Sequence, residues 1–105
     1  MRIVLCDERH PKLDINVKAE LIKGELKIAG EDLSKACKES FGTRTYEYYY
    51  DFDRANTSKL FKSLDRIEGE NDLDVLLRCY NGSDGCMKLR EHCKENDIEY
   101  TFTSY

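Results

Sequence analysis

The chain has 105 residues, with 17 Lys and Arg against 21 Asp and Glu, a formal net charge of −4, and 36% charged and 40% hydrophobic residues. That length makes a single domain over residues 1–105, its apolar content argues against a disordered polymer, and its acidic balance gives no electrostatic reason to bind nucleic acid. No stretch approaches the ~20 apolar residues of a membrane helix, and Asp7-Glu8-Arg9 interrupts the apolar opening before a signal-peptide core can form, so the chain reads as cytoplasmic, without a membrane partner.

Ile3, Val4 and Leu5 predict a short strand, and Pro11 places a turn over residues 7–12. Next comes the cleanest alternation in the chain: Leu13, Ile15, Val17, Ala19 and Leu21 are apolar, and Asp14, Asn16, Lys18 and Glu20 between them are polar. A period of two predicts a strand with one buried and one wet face. Lys23-Gly24-Glu25 predicts a hairpin turn, after which Leu26 and Ile28 carry the alternation to Gly30. From Glu31 the spacing changes. Leu33, Ala36, Cys37 and Phe41 share one helical face, with Asp32 as N-cap and Gly42 as stop, which predicts a short helix or a structured loop. Residues 45–53 return to strand chemistry, with Tyr46, Tyr48, Tyr50 and Phe52 on one face and Thr45, Glu47, Tyr49 and Asp51 on the other.

The second half is mostly helical. Asp53, Asn56 and Thr57 are cap-type residues ahead of Leu60, Phe61 and Leu64, which mark one helix face. Asp72 is placed to cap a helix carrying Leu73, Leu76, Leu77 and Tyr80, which Asn81-Gly82 ends. Ser83 is placed to cap a third helix with the stripe Cys86, Leu89 and Cys93, ending near Asn96. Ile98, Tyr100 and Phe102 alternate with Glu99, Thr101 and Thr103 in a last strand. The sum is an α+β fold: an antiparallel or mixed sheet of four to five strands with two to three helices packed on one face.

Catalytic and metal-binding patterns are weak. The five cysteines (Cys6, Cys37, Cys79, Cys86, Cys93) are odd in number and follow no CxxC, so they read as reduced structural thiols rather than a disulfide framework or a zinc site. Seven residues on a helix span about 10 Å, too far for successive members of the Cys79, Cys86, Cys93 series to share a metal. His10 lies in the turn and His92 at the border of the third helix's core face; Cys93 follows His92 directly, but adjacent helical residues point about 100° apart, and nothing in the sequence brings Cys93 to His10. Asp51 and Asp53, at strand spacing, resemble a carboxylate pair but read as a solvated strand residue and a helix cap. Gly82-Ser83-Asp84-Gly85 lacks the Lys-Ser/Thr element of a phosphate loop and reads as a tight helix-helix turn. Neither catalysis nor a cofactor or metal is expected.

The segment Tyr46-Glu47-Tyr48-Tyr49-Tyr50-Asp51-Phe52-Asp53 stands out. Tyr46, Tyr48 and Tyr50 read as core-facing aromatics, whereas Tyr49 between Glu47 and Asp51 forms an aromatic anchor ringed by acids, suited to a basic protein partner. Acidic neighbours speak against a nucleic-acid stacking platform, which interleaves aromatics with Lys and Arg. In size, charge and this strand the chain resembles the small acidic single-domain immunity proteins of bacterial toxin systems. The resemblance implies that Glu47, Tyr49 and Asp51, with Glu31 and Asp32, contact a basic toxin domain. The alternative is a generic interaction module that pairs through a sheet edge or as a homodimer.

Overall fold

The structure, a computed structural model, describes residues 1–9, 14–32 and 46–104. The expected helix or loop over Leu33–Gly42, the turn residues His10 and Pro11, and Leu13, Cys37 and Thr45 lie outside them.

Among the described residues, five strands form one antiparallel meander in the order of the chain: β1 (Arg2–Arg9), β2 (Asp14–Ile22), β3 (Glu25–Asp32), β4 (Tyr46–Phe52) and β5 (Thr101–Ser104). Three helices, α1 (Arg54–Ser63), α2 (Asp72–Tyr80) and α3 (Gly85–Glu95), fill the connection from β4 to β5. They cover one face of the sheet, burying Val17, Ala19, Leu26, Ile28, Tyr50 and Phe52 against Leu60, Leu76 and Leu89. The fold is therefore α+β, with the alternation of β2, β3 and β4 separating a covered face from an open one.

The β2–β3 hairpin closes through Lys23 and Gly24, both with positive φ (52° and 81°), a turn whose twist matches its strands. It aligns Leu21 with Leu26, Ala19 with Ile28 and Val17 with Gly30 on the covered face.

β1 runs further than the apolar run predicts. Asp7, Glu8 and Arg9 pair with Asn16, Ile15 and Asp14, so the expected turn at residue 7 is strand. The long β2 supplies backbone partners that outweigh the low strand preference of these charged residues. A bulge at Leu5, between Val4 and Cys6, turns both Leu5 and Cys6 into the core. The Leu5 carbonyl accepts from the Gly82 N–H at 3.0 Å, fastening the α2–α3 turn to β1.

The helix ends follow capping chemistry, shifted by one residue in two cases. Asp53 caps α1, its carboxylate accepting from the Asn56 N–H at 2.8 Å. Asn71, rather than Asp72, caps α2 in a capping box with Asp74. Asp84, rather than Ser83, precedes α3. At the other end of α3, Asp97 at φ 54° lets the Ile98 N–H donate back to the Cys93 carbonyl at 2.9 Å. This Schellman-type stop uses Ile98 as its apolar lid, which is why β5 begins at Thr101 and not at residue 98. Tyr100 still packs on Tyr50 and Phe52, with ring centroids 5.4 and 5.2 Å away.

Candidate functional site

The open face of the sheet has no helix packed on it among the described residues. Strand register arranges its side chains in cross-strand rows. In one row, Asp51 faces Lys27 and Glu20 faces Arg2; the ion pairs Lys27–Asp51 at 3.3 Å and Arg2–Glu20 at 3.4 Å make this row alternate in sign. The Asp51 charge is therefore matched within the sheet.

The next row holds Tyr49, Ala29, Lys18 and Val4. Beyond it come Glu47, Glu31, Asn16 and Asp7, in which Glu47 and Glu31 are direct cross-strand neighbours. The Tyr49 hydroxyl donates to Glu47 Oε2 at 3.3 Å. Asp7 pairs with Arg9 at 3.3 Å. The small Ala29 between larger neighbours leaves a hollow of about 380 Å³ walled by Tyr49, Glu31, Lys18, Asp7, Arg9 and Asp14.

Of the five expected contact residues, the structure brings Glu31, Glu47 and Tyr49 together, with Asp51 one row away. Asp32 pairs with Tyr46 on the covered face, because a strand places successive residues on opposite sides. Asp7 and Asp14 join the acidic end without having been singled out from the sequence. The polar positions of β2 carried a signal for Asp14, whereas Asp7 became visible only once β1 was seen to extend to Arg9.

Groups with possible reactivity are engaged structurally. Ser63 Oγ and His92 Nε2 lie 2.7 Å apart. The hydroxyl gives its proton to the Leu60 carbonyl at 2.6 Å, and Asn96 Nδ2 faces His92 Nδ1 at 3.5 Å. Ser63 is then the acceptor from the imidazole, the reverse of a nucleophile and its base, and the pair ties α1 to α3. Burial pushes the Cys86 and Cys93 thiols up to about 11, the hydrogen bond from Tyr48 to Cys86 offsetting part of the rise. Burial raises Cys6 as well, with Glu8 and Asp7 adding to it. Among the described residues no three His, Cys, Asp or Glu side chains converge as a metal site, and no helix is long and apolar enough to cross a membrane.

Comparison with protein-family models, curated proteins and solved structures finds no match to this chain. The chemistry of the open face is thus the basis for a functional reading.

Proposed function

We propose that this chain is a non-catalytic, cytoplasmic protein-binding domain that takes a basic protein partner on the open face of its sheet, as immunity proteins take their toxins. The observation that carries the reading is the opposed pair Glu31 and Glu47 beside the half-buried Tyr49. Like charges directly across a sheet are destabilising, so a face that keeps them holds free energy that a cation from a partner recovers. Tyr49 supplies the aromatic anchor, and the hollow over Ala29 accepts a side chain from the partner. The excess of acid at this end of the sheet accelerates encounter with a basic surface.

A second reading has its own observation. Among the described strands β5 lies at the edge of the sheet, with four residues and no charged side chain, and its Phe102 is 45% exposed. Edges of this kind take an added strand from another chain.

Capture from a lysate of the source organism separates the two, using the wild type, Glu31→Lys/Glu47→Lys and Phe102→Lys. Loss of a captured partner in the first variant alone, with association that slows as salt rises, supports the open face. Loss in Phe102→Lys alone supports edge pairing.

A further inference from the structure

The helix layer leaves a second opening, on the opposite side of the sheet from the acidic rows. α1 packs over β3 and β4, and α2 over β1 and β2. Between them, at the end marked by the Lys23–Gly24 turn, lies a groove of about 810 Å³. Leu21, Phe61 and Leu64 give it apolar walls, and Lys23, Arg54, Lys62 and Arg66 line it with positive charge. In a chain where acids outnumber bases 21 to 17, among the described residues four cations meet a single acid here, Asp72, and that acid is already ion-paired with Arg66.

The cations are prepared for a ligand to different degrees. Arg54 Nε donates to the Lys23 carbonyl at 2.8 Å, which fixes the guanidinium at the mouth and leaves its terminal nitrogens for an anion. Lys23 and Lys62 have no ion-pair partner among the described residues. Thr57 does not contribute, since its hydroxyl accepts from the Leu26 N–H and donates to the Phe52 carbonyl. The volume falls within the range of small-molecule sites, about 300–1,000 Å³.

We propose that this groove binds a soluble amphiphilic anion, an apolar chain or ring ending in a phosphate or carboxylate, with the apolar part against Leu21, Phe61 and Leu64 and the anion among Arg54, Lys23 and Lys62. The site is independent of the open face and of whatever binds there.

The test is titration of the full chain, followed by amide NMR shifts and calorimetry, with octyl phosphate and octanoate below their micelle concentrations. Inorganic phosphate and octyltrimethylammonium are parallel arms. At least one of the two amphiphilic anions is expected to saturate a single site with a Kd of about 1 mM or tighter, with shifts centred on Leu21, Phe61 and Leu64. Inorganic phosphate is expected to bind at least about tenfold more weakly, and the quaternary ammonium not to perturb these residues. Lys23→Glu/Lys62→Glu, at two exposed positions, is expected to weaken binding at least about tenfold with an unchanged thermal midpoint. The proposal is overturned if neither anion saturates, if inorganic phosphate or the ammonium binds equally well, if the shifts centre elsewhere, or if the charge-reversed variant binds like the wild type.

Discussion

Glu31 and Glu47 stand directly opposite one another across β3 and β4, on the face that no described helix covers. A cross-strand pair of equal charge costs about 0.2–1 kcal/mol relative to a neutral pair. Glu31→Lys is therefore expected to raise the unfolding free energy by at least about that amount at low salt, seen as a higher urea midpoint, and by less at high salt, while weakening capture of a basic partner. Gain of stability with loss of binding is the signature of a residue kept for function. An unchanged or lowered midpoint removes the electrostatic part of the reading.

Tyr48 lies over Gly30, its direct neighbour across the same two strands. A Cβ built on Gly30 would stand 2.2 Å from the tyrosine ring. That ring is flanked by Tyr46 and Tyr50, with centroids 5.7 and 6.0 Å away. Gly30→Ala is expected to destabilise by about 1–3 kcal/mol. In a Tyr48→Ala background most of that penalty is expected to vanish, and a denaturant double-mutant cycle measures the coupling.

The loop before α2 is held by Glu70, which accepts from Arg78 Nε and Nη2, both at 3.0 Å, and from the Ile67 N–H at 2.8 Å. The hydrogen bond from Arg78, and then that from Ile67, hold the carboxyl below its usual value. A depressed carboxylate stabilises the fold above its unfolded pKa, and the contribution fades as pH falls through the folded value. Glu70→Gln is thus expected to lower the thermal midpoint from pH 5 to 8, with the difference from wild type closing at more acidic pH. A difference that is constant down to the acid limit excludes an ionic contribution.

Cys86 and Cys93, raised by burial to about 11, have a thiolate fraction on the order of one in a thousand or less near pH 7.5. Iodoacetamide is expected to modify them slowly in the native protein and rapidly in guanidinium, as resolved by peptide mapping. Fast native labelling of either indicates that the α3 stripe opens.

The sheet was legible because its cues are local. Alternation in Leu13–Leu21 and Tyr46–Phe52 and the Lys23-Gly24 turn decide face and hairpin without long-range information, and β2 and β4 follow them. The charged end of β1 was not legible, because only pairing with Asp14, Ile15 and Asn16 makes Asp7–Arg9 extended. The start of β5 was hidden for a similar reason: Ile98 obeys the alternation but is used by the α3 stop. At the candidate site, Glu47, Tyr49 and Asp51 were correctly placed on one face. Register then distinguished them, matching Asp51 with Lys27 while setting Glu47 against Glu31, and sent Asp32 to the other side. Spacing along one strand carries no information about which residue lies across from it.

The most direct measurement of open-face binding is amide chemical-shift mapping of the labelled chain with a partner captured by the wild type. Perturbations centred on Glu47, Tyr49, Glu31, Ala29 and Asn16, together with an association rate that falls as ionic strength rises, are the predicted result. Perturbations centred on Thr101–Ser104 or on the helix layer, with an association rate insensitive to salt, contradict it.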